Sequence, residues 1–215
     1  GNMVTEWLKK QGIATQFVRG ERVTDKASLD VVTAVLGGRA NKQIVATINN
    51  LGGRAVGISG VDGMLVQARV TNPEFGYVGT SVKVDTGVLE TLLKAGFIPV
   101  VSPVSYYAFD RPADAPLILN INGDPLAGEI AAAIGAEKLI FLTDVAGVLD
   151  KNGALLIELT AAEVKNLIDS GTASGGMIPK LTACLTAAAK NTITCIVDGR
   201  QPHALINAIE KDNIC

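Results

Sequence analysis

The sequence predicts an α/β protein with a mainly parallel sheet and helices on both faces, and two observations support this. Short apolar runs are β-branched or rich in leucine, and several lack the polar alternation of a sheet with one wet face, so they indicate buried strands. These runs alternate with helical patterns along the chain, as is typical of parallel sheets. The predicted strands are 54–59, 97–102, 116–121, 138–143 and 192–198.

Capping signals and glycines delimit the predicted helices. Thr160 and Glu163 have the spacing of a capping box, which predicts a helix over 160–169. Residues 28–52 are predicted to hold two helices that are broken near Gly37 and Gly38. Further helices are expected at 86–95, 124–134, 180–189 and 202–210.

Two stretches interrupt the alternation. Residues 63–79 are predicted to form a β-hairpin around Asn72 and Pro73, because the Asn-Pro pair favours a turn. Residues 104–117 are polar, aromatic and contain proline, which suggests a flap near a site.

The composition excludes several classes of protein. The formal charge of −2 argues against a general basic surface for nucleic acid. No apolar run reaches the roughly 18 residues of a transmembrane helix. His203 is the only histidine, so a histidine-based metal cluster is excluded. A Ser-His-Asp hydrolase would have to use His203 alone, and the chain has no G-x-S-x-G motif to accompany it.

Two features indicate a cytoplasmic location, with a plastid as the alternative. The three cysteines, Cys184, Cys195 and Cys215, have unrelated spacings, which predicts free thiols in a reducing compartment. The first ten residues predict an amphipathic helix and not a signal peptide.

Polar side chains are concentrated where the strand at 116–121 should give way to a helix. Asn120 and Asn122 are two residues apart, so on an extended strand they point to the same side. Ligands of open α/β sheets bind outside the carboxyl ends of the strands, so these amides are candidate ligand groups. The alternative is an Asx-rich turn in which Asp124 caps the helix.

Three other segments carry candidate chemistry. Asp144 ends a predicted buried strand and precedes a glycine loop. Lys180 follows a small-residue loop at a predicted helix start, where backbone N–H groups favour anions. Arg22 lies on a short predicted loop and can clamp a carboxylate. The alternative for Lys180 is a solvated surface lysine, and for the glycines of the loop it is a flexible turn. The alternative for Arg22 is a structural ion pair with a neighbouring acid.

Five of these segments together resemble a known family. They occur in the order and at roughly the spacing of the N-acetyl-L-glutamate kinases, which belong to the amino acid kinase family. The resemblance covers nearly the whole chain. The five segments are "ERVTD" (21–25), "NINGD" (120–124), "LTDVAGVLD" (142–150), "GGMIPK" (175–180) and "IVDGRQPHAL" (196–205).

The resemblance implies an open αβα sandwich and a specific reaction. Members of this family transfer a phosphoryl group from MgATP to the side-chain carboxylate of N-acetyl-L-glutamate, which gives an acyl phosphate and ADP on the route to arginine. It also implies a cytoplasmic homodimer or hexamer and, for some members, a regulator of the PII type. Mg²⁺ accompanies ATP, and the resemblance assigns no metal ligand to this chain.

Roles for individual residues follow from the same resemblance. Arg22 and Asn120 would bind the amino acid substrate, together with Gly1, the last glycine of a substrate-holding loop. Lys180 would stabilise the transferring phosphoryl group, and Asp124 would organise the catalytic lysines. The nucleotide would be contacted by Asp144, Val145, Ala146, Gly147, Val148, Leu149, Thr172, Ala173 and Ser174.

The sequence departs from the family pattern in three places. The family's first strand, with a second catalytic lysine, would precede Gly1, and its closing strands would follow Cys215. Gly123 replaces the usual alanine and loosens the helix start. The expected organisation is one domain, 1–215, with an amino acid half over about 1–119 and a nucleotide half over about 120–215. The alternatives are a carrier-linked aminoadipate kinase, a non-catalytic regulatory module of the same fold, and a nucleotide-binding protein without kinase activity.

Overall fold

A computed structural model describes residues 1–18 and 21–210 of the chain. The predicted loop residue Gly20 and the cysteine Cys215 lie outside the described residues. The chain divides into a first unit, Gly1–Leu126, and a second unit that begins at Ala127. The two units are described separately.

The first unit begins with helices and a short hairpin. A π-helical segment, Ala34–Ala40, follows α2 directly and leads into α3 without interruption. The elements are α1 (Asn2–Lys10), β1 (Phe17–Val18), β2 (Glu21–Arg22), α2 (Lys26–Thr33) and α3 (Asn41–Asn50).

The remainder of the first unit consists mainly of strands. Short 3₁₀ turns occur at Asp62–Met64 and Pro73–Phe75. The elements are β3 (Ala55–Ser59), β4 (Val66–Val70), β5 (Val78–Val84), α4 (Gly87–Lys94), β6 (Ile98–Ser102), β7 (Val104–Tyr107), β8 (Ile118–Ile121) and the start of α5 (Gly123–Ile134).

The strands of the first unit form three groups. β1 and β2 form an antiparallel hairpin, and β3 pairs with β6 in parallel. β4, β5, β8 and β7 form a closed four-stranded ring with two antiparallel and two parallel pairings. This ring holds β8, which carries Asn120, between β5 and β7.

The second unit has a parallel strand pair covered by helices. β9 and β10 are in register from Lys138 with Ile193 to Thr143 with Asp198. Because the strands are parallel, the polar residues that follow them lie at one end of the pair. The elements are the rest of α5, β9 (Lys138–Thr143), α6 (Ala161–Asp169), α7 (Met177–Ala188), β10 (Ile193–Asp198) and α8 (Ala204–Glu210).

Aliphatic side chains form the cores. In the first unit, α1 packs its apolar face on α2 and on the start of the π-helical segment, and the buried residues of this cluster are Val4, Leu8, Val31, Val32 and Val35. This face agrees with the amphipathic pattern predicted for the first ten residues. In the second unit a cluster of Val148, Val164, Ala173 and Leu181 is buried.

The structure confirms most of the predicted elements. All five predicted strands are present, and β4 and β5 form the expected hairpin around the Pro73–Phe75 turn. Thr160 and Glu163 form both hydrogen bonds of the capping box. The parallel pairs and the alternation with helices confirm the α/β class.

Four local predictions are wrong. The two helices predicted over 28–52 are present as α2 and α3, but the helical chain does not break at Gly37 and Gly38, because these glycines lie within the wider turns of the π-helical segment. The first four residues of the predicted flap form β7, which is paired on both sides. α7 begins at Met177 and not near Lys180, because proline is tolerated in a first helical turn. Buried Cys195 is disulfide-bonded, so it is not the predicted free thiol.

Among the described helices, none is both long and apolar enough to cross a lipid bilayer.

Candidate ligand sites

A cleft of about 310 Å³ lies in the first unit at the end of β8. Three residues predicted to bind the substrate line it, namely Gly1, Arg22 and Asn120. Apolar side chains form most of the remaining wall, and they are Val4, Phe17, Val32, Leu36, Val78, Pro103 and Ile121. A small cleft with a few polar groups on an apolar wall is the usual form of a site for a small molecule.

Arg22 is held at the cleft by several contacts. It lies on β2, in register with Phe17 of β1, and not on a loop as predicted. Its guanidinium carbon is 4.7 Å from the centroid of the Phe17 ring. Its Nη2 donates to Thr5 Oγ1 at 2.8 Å and to the carbonyl oxygen of Gly1 at 3.4 Å.

The other terminal nitrogen of Arg22 identifies the kind of ligand. Nη1 is buried and has no hydrogen-bond partner. Burial also lowers the pKa of the guanidinium by desolvation, but arginine stays charged near neutral pH. A buried cationic donor without a partner is costly unless a ligand supplies an acceptor. The cleft therefore suits an anion such as a carboxylate.

Asn120 and Asn122 have different roles, although they are two residues apart. The Asn120 Nδ2 donates to Thr24 Oγ1 at 3.2 Å, and its backbone N–H donates to the carbonyl of Tyr77 at 3.0 Å. The Asn122 Oδ1 instead accepts the backbone N–H of Asp124 at 3.1 Å. Both residues line the cleft, as expected for two residues on one side of a strand. The Oδ1 of Asn122 is already engaged in the Asx-type turn of the alternative interpretation, so the ligand hypothesis fits Asn120 better.

Asp124 does not cap α5. The helix begins at Gly123, so Asp124 lies in its first turn and Asn122 holds the capping position. A carboxylate in the first turn is favourable for the helix dipole. The alternative interpretation of Asp124 as N-cap is therefore wrong, because the helix starts one residue earlier than predicted. The proposed link from Asp124 to Lys180 stays a prediction.

The loop after β9 is anchored at both ends. Thr143 Oγ1 donates to the carbonyl of Val145 at 2.8 Å and fixes the chain beside the exposed Asp144. Leu149 and Leu155 then form an isolated antiparallel bridge. The Asp150 carboxylate accepts the backbone N–H groups of Asn152 and Ala154, both at 2.8 Å, which closes the turn between them.

A second cleft, of about 450 Å³, lies beside this loop in the second unit. Ala146 and Gly147 contribute to it from the predicted nucleotide loop. Its other residues are Leu155, Leu156, Ile157, Ile196, Val197, Asp198, Gln201, Ala204 and Asn207. The mostly apolar lining with a few polar side chains is suitable for a base and a sugar.

Asp198 and Arg200 form a pair that the sequence reasoning missed. The Nε and Nη2 of Arg200 donate to the two carboxylate oxygens of Asp198 at 2.8 and 2.9 Å. These hydrogen bonds hold the pKa of Asp198 well below its ordinary value, and they raise the pKa of Arg200. The "IVDGR" segment contained the signal, since Asp198 ends β10 much as Asp144 follows β9 directly.

The predicted nucleotide residues differ in how their side chains are placed. Val148 and Ala173 are buried in the core of the second unit, so only their backbones are available to a ligand. Ser174 is exposed, and its carbonyl accepts the N–H of Met177 at the start of α7. The half-buried Lys180 is the fourth residue of that helix. The loop before α7 therefore offers backbone groups and a helix N-terminus to an anion.

The described residues contain no cluster of three or more His, Cys, Asp or Glu side chains that could hold a metal ion. Nucleotide sites commonly bind Mg²⁺ through one or two carboxylates and the phosphates of the substrate, so a protein cage is not required. The exposed Asp144 fits this donor set.

His203 lies in the turn before α8, where it is exposed and has a positive φ of 62°. In the reaction that the resemblance implies, the nucleophile is a carboxylate and needs no base, so we expect His203→Asn to leave kcat within about threefold, or about 0.7 kcal/mol. Asn is chosen because it tolerates a left-handed backbone. The measurement is kcat with both substrates saturating, and a hundredfold loss would reveal a proton-transfer role.

Parallel strands that end in polar loops, with a cleft lined by an arginine whose buried Nη1 has no partner, characterise an α/β protein with a candidate site for a small anionic ligand. A model of the amino acid kinase family matches residues 1–198. The chain belongs to the amino acid kinase family.

Individual relatives are similar over nearly the whole chain. The acetylglutamate kinase of Dehalococcoides mccartyi strain CBDB1 is 50% identical over 210 residues, which cover 98% of this chain and 77% of the relative. The acetylglutamate kinase of Cereibacter sphaeroides strain ATCC 17029 is 47% identical over 213 residues, covering 99% and 71%. The crystal structure of smu.665 from Streptococcus mutans UA159 has a TM-score of 0.82 and 28% identity, covering 92% of this chain and 79% of the other.

Proposed function

We propose that this protein is an acetylglutamate kinase, which transfers the γ-phosphoryl group of ATP to the side-chain carboxylate of N-acetyl-L-glutamate in arginine biosynthesis. The similarity to curated acetylglutamate kinases over 98–99% of the chain supports the reaction. The structural observation that carries the proposal is the buried Arg22 Nη1, which has no partner in a cleft also lined by Asn120. An acidic amino acid derivative supplies the acceptor that this nitrogen lacks.

The substrate half of the proposal concerns the first cleft. Arg22 would donate to a carboxylate of N-acetyl-L-glutamate, and the amide of Asn120 would bind a neighbouring polar group. Gly1 completes the wall, and its carbonyl accepts from Arg22 Nη2. We propose residues 1–119, with Asn120 at the boundary, as the amino acid half of one kinase domain.

The nucleotide half of the proposal concerns the second unit. Adenine and ribose would lie beside Asp144, Val145, Ala146, Gly147, Val148 and Leu149, and the phosphates would lie towards Thr172, Ala173 and Ser174. Lys180 would neutralise negative charge on the phosphoryl group during its transfer, and Asp124 would hold the Lys180 side chain in place. Mg²⁺ would enter with the ATP phosphates, where it offsets their negative charge.

The reaction needs no general base, because the carboxylate is already a nucleophile. A carboxylate oxygen forms a bond to the γ-phosphorus, the bond from that phosphorus to the bridging oxygen breaks, and ADP leaves. The residues of the chain align two anions and neutralise the charge between them. A cytoplasmic location, a homodimer or hexamer, and a PII-type regulator belong to the same proposal and rest on the resemblance.

The reaction is tested with the natural full-length protein, ATP and N-acetyl-L-glutamate. Hydroxylamine traps an acyl phosphate as a hydroxamate, and ADP release should match it one to one. Glutamate and N-acetyl-aminoadipate serve as competing substrates. Activity with the aminoadipate derivative alone would favour the carrier-linked alternative, and ATP binding without any product would favour a regulatory module.

The nucleotide position is tested separately. We expect a photoreactive ATP analogue with the reactive group on adenine to label residues in 144–150 or the 155–157 segment across the second cleft. Mass spectrometry of the labelled peptides identifies the site, and excess ATP should prevent labelling. Labelling of the peptide that contains Arg22 would contradict the assignment.

A further inference from the structure

Thr24 is a buried polar residue between the two proposed substrate residues. Its relative exposure is 0%, although threonine is usually at least partly exposed. Its hydroxyl contacts both partners, since it donates to the carbonyl of Arg22 at 3.4 Å and accepts from Asn120 Nδ2 at 3.2 Å. Asn120 lies 96 residues away in the sequence, so only the fold brings it to Thr24.

The hydroxyl determines which way the Asn120 amide faces. A threonine hydroxyl has one proton, and here that proton is directed to the carbonyl of Arg22. The oxygen can then only accept from Asn120, so the amide nitrogen faces Thr24. The amide oxygen and the second amide proton remain for a ligand. With the hydroxyl absent, the amide is free to rotate by 180° and exchange its acceptor and donor positions.

The backbone of Thr24 is as firmly fixed as its side chain. Its N–H donates to the carbonyl of Phe75 at 2.9 Å, and its own carbonyl accepts from the N–H of Tyr77 at 2.7 Å. The carbonyl of Tyr77 in turn accepts the backbone N–H of Asn120 at 3.0 Å. Gly76 lies between these contacts with a φ of 67°, and a Cβ there would clash with the carbonyl of Thr24.

We propose that Thr24 is a positioning residue that fixes the amide orientation of Asn120 relative to Arg22 and so determines recognition of the amino acid substrate. This inference rests on the proposed function, because it concerns the cleft to which that function assigns N-acetyl-L-glutamate. Thr24 acts through Asn120 and need not contact the substrate. Its effect should therefore appear in substrate affinity and not in the phosphoryl transfer step.

The test compares Thr24→Val with Thr24→Ser in the natural full-length protein. Valine keeps the shape and removes the hydroxyl, whereas serine keeps the hydroxyl. We expect Thr24→Val to raise KM and the calorimetric Kd for N-acetyl-L-glutamate about tenfold, with kcat and KM for ATP within about twofold. Thr24→Ser should stay within about threefold of the unaltered protein. Thr24→Ala removes the same hydroxyl if the valine variant fails to fold.

A double-mutant cycle separates positioning from general stability. In an Asn120→Ala background, Thr24→Val should raise KM no further, because the amide that it orients is absent. The matched control is Ser105→Ala, which removes another fully buried hydroxyl that donates to a main-chain carbonyl at 3.4 Å. This control should leave both KM values unchanged.

Three results would overturn the inference. They are an unchanged KM in Thr24→Val, an equal rise in KM for both substrates, and full additivity with Asn120→Ala. If the unaltered protein neither binds nor phosphorylates N-acetyl-L-glutamate, the proposed function fails and the inference fails with it. If the unaltered protein is active and the valine and serine variants behave alike, only the role of Thr24 is refuted.

Discussion

Replacing Lys180 by alanine should lower kcat about 10²- to 10³-fold and leave KM for ATP and N-acetyl-L-glutamate nearly unchanged. Loss of one preorganised charge at a site of developing charge typically has this effect. We expect kcat to fall while KM stays unchanged because the ammonium is proposed to contact the phosphoryl group mainly in the transition state. The half-buried position of Lys180 in the first turns of α7 is consistent with such a contact.

Two further variants make the Lys180 experiment specific. Lys180→Arg should rescue kcat poorly, because a guanidinium is larger and planar where a compact charge is needed. Asp124→Asn should resemble a partial loss of Lys180, since Asp124 is proposed to hold the lysine. The matched control is Lys165→Ala, because Lys165 is an exposed lysine on α6 of the same unit. The measurement is steady-state kinetics. If Lys180→Ala retains more than half of the kcat of the unaltered protein, a transition-state role for Lys180 is ruled out.

Replacing Arg22 by alanine should raise KM for N-acetyl-L-glutamate about 30- to 1000-fold, or about 2–4 kcal/mol, with a much smaller effect on KM for ATP. The variant removes the buried Nη1 that has no partner in the protein, and with it the proposed anchor for a carboxylate. Arg22→Lys should recover only part of the affinity, because lysine keeps the charge but not the planar pair of donors.

Arg54 provides the matched control for Arg22. Its guanidinium also lies over a phenylalanine ring, 4.4 Å from the centroid of Phe97, and it also donates to a main-chain carbonyl. It does not line the first cleft. Arg54→Ala should therefore leave both KM values close to those of the unaltered protein. Equal increases in both KM values for Arg22→Ala would show a folding defect and count against the assignment.

Local sequence patterns were sufficient for the elements of the fold. The strands β3, β6, β8, β9 and β10 were predicted from short apolar runs, a pattern that involves only neighbouring residues. The predicted burial was wrong for most of their residues, which are half-buried or exposed. The capping box at Thr160 and Glu163 is equally local. The π-helical segment was not predictable in the same way, because two adjacent glycines indicate a break as readily as a wide turn.

The hydrogen-bond partners of the candidate site residues could not be predicted from local sequence patterns. The sequence placed Asn120 and Asn122 together, since residues two apart share one side of a strand. In the fold both residues line the first cleft, but Asn120 donates to Thr24, while Asn122 accepts the N–H of Asp124 in the turn before α5. Val148 lies within a recognisable motif, yet its side chain is in the core.

The sequence by itself determined the α/β class, the family and the chemistry of the candidate residues, because composition, periodicity and motif spacing are properties of the chain. Only the tertiary structure decided that Arg22 has a buried nitrogen without a partner. It also decided that the Thr24 hydroxyl joins the main-chain carbonyl of Arg22 to the Asn120 amide, and that Asp198 pairs with Arg200. The physical reason is that burial, side-chain direction and hydrogen-bond partners depend on neighbours in space. Those neighbours come from distant parts of the chain, and no local pattern specifies them.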